Sequence, residues 1–205
     1  GSPSIAKNRQ HAFRLLNDSE RIMREVYKEF SESFSSFDYN EDGFNEYICQ
    51  MEGYYAVIDP TGGMISELDV IRSSANYASS LSRIEKFDGF TDAYRRGIFV
   101  EHFLDQHDFA NYKKNHFVEN PVFSNSLFLE KKFNNKRNEL YLENRQLYSS
   151  LKLPLVLRKN YTISSNSISV QYILKNDSPI DLKGIFVVEL NLPQTFFDSK
   201  ELKNQ

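Results

Sequence analysis

The chain has 205 residues, 40% hydrophobic, 14% aromatic and 26% charged, with a net charge of −3 at pH 7 and a pI of about 5.9. That composition belongs to folded globular domains, and its slightly acidic balance supplies no positive field, which argues against nucleic acid and against an anionic membrane surface as partners. No apolar run approaches the roughly 18 residues needed to span a bilayer, and no signal-peptide pattern opens the chain.

One cysteine, Cys49, rules out an intrachain disulfide and leaves no cysteine-based zinc cluster. It fits a reducing compartment, so a cytoplasmic location is the expectation, and its place between Ile48 and Gln50 reads as a small buried apolar residue. Gly1-Ser2 reads as a cloning remnant, which makes a piece of a longer protein the expectation.

From Ser4 to Leu16, Ala12, Phe13, Leu15 and Leu16 stand among polar residues in a helical pattern that Asn17-Asp18-Ser19 would end. A second helix is expected to start there. Asn17 and Glu20 have capping-box spacing, and Ile22, Val26, Phe30 and Phe34 recur every four residues, widened by Met23 and Tyr27. Such a stripe calls for packing against a sheet or a neighbouring domain.

Phe37 to Val70 joins this helical start to the rest. An acidic turn leads into two apolar runs separated by Glu52-Gly53, and the corner Asp59-Pro60-Thr61-Gly62-Gly63 follows. From Glu46 onward the period is two. Strands are predicted at 46–51, 54–58, 64–70, 98–104, 127–133, 140–148, 153–163, 168–174 and 185–192, and Ile168, Val170, Tyr172 and Leu174 alternate as a strand with one buried face. The turns 134–136, 164–167 and 176–179 are short and polar. Strand following strand in this way argues for antiparallel sheet. Ser73 to Gly97 reads as a long excursion, and Phe196 to Gln205 as a frayed tail.

Five motifs in order carry a resemblance: FDYNEDGFNEY, AVIDPTGGMISELDV, LSRIE, YRRGIFVEHFL with DF after it, and QYILKNDSPIDLKGIFVVELNL. Together, over most of Phe37 to Leu192, they resemble the C-terminal β domain of family-57 glycoside hydrolases, the 4-α-glucanotransferase and α-amylase group. Ile84, Phe87-Asp88 and Glu101 depart from that pattern. The resemblance implies a mainly β fold, an antiparallel β-sandwich of the galactose-mutarotase-like (supersandwich) type, preceded by a short α-helical segment. The expected division is a helical segment over 1–36 and a sandwich over 37–205, continuing past Gln205. It also implies a parent enzyme acting on α-1,4-glucans whose catalytic carboxylates lie in a (β/α) barrel outside this chain. The partners expected are that barrel and, through contact, α-glucan. No catalytic residue is then expected here. The alternatives are a free-standing mutarotase-like enzyme using His102 with Glu101 or another acidic partner, and a carbohydrate-binding module without chemistry.

Within the acidic turn, Asp38, Asn40, Asp42 and Glu46 occupy relative positions one, three, five and nine, with Gly43 at six. That spacing can fold oxygen ligands around a hard cation, and the Phe44 carbonyl at seven could complete the cage, so structural calcium is the cofactor to consider. The turn is not an EF-hand, because position twelve is Cys49. His102, near Asp105, His107 and Asp108, is a candidate acid or base in the mutarotase-like reading, although strand alternation puts His102 and Glu101 on opposite faces. Glu67 and Asp69 share one strand face, as a carboxylate pair or as partners for Arg83 or Arg96. Tyr54, Tyr55 and Tyr77 could stack on glucose rings.

Overall fold

The computed structural model describes residues 3–28, 30–78, 94–114 and 122–192. A helix α1 (Pro3–Tyr27) precedes strands β1 (Ser33–Phe37), β2 (Glu46–Gln50), β3 (Tyr54–Asp59), β4 (Met64–Val70), β5 (Ala75–Asn76) and β6 (Ile98–Leu104). Helix α2 (Gln106–Lys113) follows, then β7 (Leu129–Asn134), β8 (Glu139–Tyr148), β9 (Leu153–Ser164), β10 (Ser167–Asn176) and β11 (Ile185–Leu190). No described helix is long and apolar enough to cross a membrane.

Two antiparallel sheets form a sandwich. The first runs β1-β2-β3-β4-β6-β11 with β5 beside β4, and the second runs β10-β9-β8-β7. Period-two alternation explains the core: Tyr47 and Cys49, Ala56 and Ile58, and Leu140 and Leu142 all point between the sheets, as do Leu155, Leu157, Tyr161 and Ile163. Cys49 is buried there as expected, and burial pushes its thiol pKa up.

The two-helix expectation is corrected. One helix runs through Asn17-Asp18-Ser19, where tertiary partners take up the first two side chains and the helix backbone takes up the third. Asn17 Nδ2 donates to Asp69 Oδ1 at 3.0 Å, and Asp18 Oδ1 accepts from the Ser74 hydroxyl at 2.5 Å. Ser19 Oγ bonds the Leu15 carbonyl at 2.8 Å. Asn17 is therefore a helix-interior residue, not a cap. The helix stops at Tyr27, beyond which Lys28 adopts φ 51°, a left-handed C-terminal turn.

The stripe divides in consequence. Phe34 lies on β1, buried edge-on against Phe133 at 5.0 Å, and Phe30 sits beneath the Arg24 guanidinium at 3.9 Å. Ile22, Met23, Val26 and Tyr27 remain exposed along the helix, with Leu15 and Leu16. Sheet pairing thus starts at Ser33, inside the span expected to be helical. The excursion expected over 73–97 lies mainly outside the described residues, as does the tail 196–205.

Candidate functional site

Two chemical constellations grow out of β6, one on each face. On β6, Ile98 pairs with Leu190 and Val100 with Glu189, so Phe99 is an extra residue, a bulge held at φ 65°. Non-glycine residues enter that region at a cost, and a bulge re-aims the groups beside it. Here the Phe99 carbonyl turns onto Lys159 Nζ at 2.8 Å.

Lys159 stands in register with Leu155, Leu157, Tyr161 and Ile163 on the inward face of β9. Its ammonium meets Glu101 Oε2 at 2.6 Å, both side chains at 0% exposure. Glu101 Oε1 accepts from the Tyr172 hydroxyl at 2.7 Å, and Lys159 also reaches the Gly62 carbonyl at 3.4 Å. Burial pushes Glu101 above and Lys159 below their ordinary ranges, while their contact pulls each back toward its charged form. The glycine corner makes room for this. Gly63 sits at φ 56°, and a Cβ there would come within 3.0 Å of Phe128 and 3.2 Å of Lys159 Cδ.

His102 points to the opposite, outward face, as strand alternation required. Its carboxylate partner is Glu189 on β11, with Nε2 to Oε1 at 3.0 Å, and Glu101 is turned away from it. Tyr94 donates to Glu189 Oε1 at 2.7 Å and Asn191 to Oε2 at 2.8 Å, while Arg96 bonds the Asn191 side chain. Burial works to raise the Glu189 pKa, but its bonds to His102, Tyr94 and Asn191 win and hold it at about 2. The imidazole packs against Tyr94 at 4.7 Å and Tyr112 at 5.7 Å and is 1% exposed. It is a buried imidazole in a carboxylate network, closed to solvent.

Glu67 and Asp69 do share the outward face of β4. Burial first, then the Asp69 hydrogen bond and charge, raise Glu67 to about 7. The expected Arg96 partner is engaged with Asn191, and Arg83 lies outside the described residues.

In the acidic turn, Asp38 accepts from the N–H groups of Asp42 and Gly43, Asn40 from Asp42, and Asp42 from Phe44. Phe44 thus enters through its N–H. Glu46, buried at 1% exposure, accepts from Tyr39 N, Asn40 N and Asn40 Nδ2. Gly43 supplies the φ of 92° that the reversal needs. Among the described residues, the His, Cys, Asp and Glu side chains that gather in a group of three with ligand atoms within 4.8 Å are Asp105, His107 and Asp108. Asp38, Asp42 and Glu46 do not converge in that way. Asp105 itself caps α2, accepting from the Asp108 N–H at 2.7 Å.

Of the tyrosines, Tyr54 is buried, its hydroxyl on the carbonyls of Ser164 and Ser167, while Tyr55 and Tyr77 are half-buried. Sequence reasoning passed over Lys159 and Glu189, although both carried a signal. Lys159 falls in the apolar phase of its strand, and Glu189 alternates with Val187 and Asn191.

Residues 86–204 match the family described as Alpha-amylase/4-alpha-glucanotransferase, C-terminal, which is more than half of the chain. The chain belongs to this family. The fold is similar to that of the 4-alpha-glucanotransferase from Thermococcus litoralis, with a TM-score of 0.70 at 21% sequence identity. The likeness covers 89% of this chain and 30% of that one, so this chain spans under a third of its length. No curated protein matches the sequence. The family and this fold likeness bear out the expected resemblance and the β-sandwich.

Proposed function

We propose that this chain is a non-catalytic C-terminal β-sandwich module of an α-1,4-glucan-active enzyme, supporting the catalytic barrel and contacting glucan. The observation that carries the reading is the burial of the groups that looked catalytic. Glu101 is locked between the sheets on Lys159, and His102 is closed in on Glu189. A proton-transfer group must reach its substrate, and these two serve cohesion instead. The exposed stripe of Leu15, Ile22, Met23, Val26 and Tyr27 on α1 supports the barrel contact, since apolar residues contiguous on one helix mark an interaction surface.

The test is an assay of the chain for disproportionation and hydrolysis of maltooligosaccharides and for aldose mutarotation. No turnover is expected. Turnover abolished by His102→Ala would overturn the reading in favour of a mutarotase-like enzyme.

A further inference from the structure

A groove of about 320 Å³ lies between α1 and the outward face of the first sheet. That volume falls in the range of roughly 300–1,000 Å³ that small-molecule sites occupy. Tyr55, Glu67 and Asp69 form its floor, and Phe13, Leu16 and Ile71 form an apolar wall. Opposite Asp69 on the paired strand stands Tyr55, so a ring and a carboxyl lie side by side.

The floor can both donate and accept hydrogen bonds. The Tyr55 hydroxyl can donate, the Glu67 and Asp69 carboxyls accept, and Asn17 Nδ2 fixes Asp69 Oδ1 at 3.0 Å. Glu20, also at the groove, is neutralised by Arg24 at 2.8 Å. A phosphate or carboxylate ligand meets repulsion here. A divalent cation would find Asp69 Oδ1 already engaged by the Asn17 amide. A neutral ligand with paired hydroxyls and an apolar face suits both halves of the groove, and a pyranose has that make-up.

We propose that this groove is a carbohydrate subsite that seats a pyranose of an α-glucan, its hydroxyls on Glu67 and Asp69 and its apolar face against Tyr55 and the helix wall. The inference rests on the glucan-contacting part of the function proposed above, and it names the residues that make the contact.

Titration of maltotetraose into the isotope-labelled 205-residue chain, followed by amide NMR, tests it. Saturable shifts are expected around residues 13–20, 50, 55, 67 and 69, with affinity falling about tenfold in Tyr55→Ala and in Glu67→Ala, which is 1.4 kcal/mol of binding. Tyr77→Ala, outside the groove, should bind as the parent does. Glu67→Gln keeps the shape should the alanine variant fail to fold, and a matching thermal midpoint certifies each variant. Shifts mapping elsewhere, or unchanged affinity in the folded variants, would overturn the subsite while leaving glucan contact standing. Absence of any sugar binding at about 20 mM, far weaker than a millimolar site, would remove both the subsite and the glucan contact. Support of a barrel would survive that result. Binding of calcium at these residues in place of sugar would also overturn the subsite.

Discussion

Lys159 and Glu101 face each other across the sandwich at 2.6 Å, 58 residues apart in sequence, with neither side chain exposed. Two charges held there have lost their water, and the structure returns the loss through the carbonyls of Phe99 and Gly62 and the hydroxyl of Tyr172. The pair thus ties one sheet to the other.

Removing one partner leaves the other buried and alone. Lys159→Met or Glu101→Leu singly should each destabilise the fold by about 3–5 kcal/mol in urea unfolding, whereas the double variant should recover most of that loss. A double-mutant cycle measures it, and additive losses would show that the two residues do not act as a pair.

Glu189 and Glu67 act in opposite pH windows. Glu189 falls from 4.5 to about 2 on folding, so its contribution is complete above pH 4.5 and is lost as pH drops toward 2. Glu67 rises from 4.5 to about 7, so its contribution is complete below pH 4.5 and is lost as pH climbs toward 7. Each window is worth at most about 3 kcal/mol, less for Glu67 because it is only half-buried. Urea unfolding between pH 4.5 and 7 should show stability declining, and Glu67→Gln should flatten that decline by about 1–2 kcal/mol.

Two glycines separate backbone strain from collision. Gly43 and Gly62 both have positive φ, but a Cβ at Gly43 meets nothing within 4 Å, whereas at Gly62 it would lie 2.8 Å from the Ser124 carbonyl. Gly43→Ala should cost about 1 kcal/mol and Gly62→Ala clearly more, about 2–4 kcal/mol. Equal losses in thermal unfolding would contradict this ordering.

The acidic turn closes on its own hydrogen bonds. Glu46→Ala strands three donors and should lose about 2–3 kcal/mol. Chelator treatment should leave the thermal midpoint within about 1 °C. A rise of several degrees on adding calcium would instead support the cation role that the spacing of Asp38, Asn40, Asp42 and Glu46 suggested.

Much of the sandwich was legible because strand alternation is a local property: Leu155, Leu157, Tyr161 and Ile163 announce an inward face in any context. The same alternation correctly put His102 and Glu101 on opposite faces. The helix misled for a local reason too. Asn17-Asp18-Ser19 is a poor helical triplet until Asp69 and Ser74 receive its side chains, and Phe34 fits a helical stripe until β2 pairs with it.

The sequence by itself determined which face each strand residue takes, where the turns fall and which family the motifs resemble. Only the tertiary structure decided that His102 belongs to Glu189, that Glu101 belongs to Lys159, and that Glu67 and Asp69 share a groove with α1. Faces follow from the two-residue repeat of a single strand. Partners depend on how two sheets and a helix stack, and hydrophobic burial drives that stacking without regard to distance along the chain.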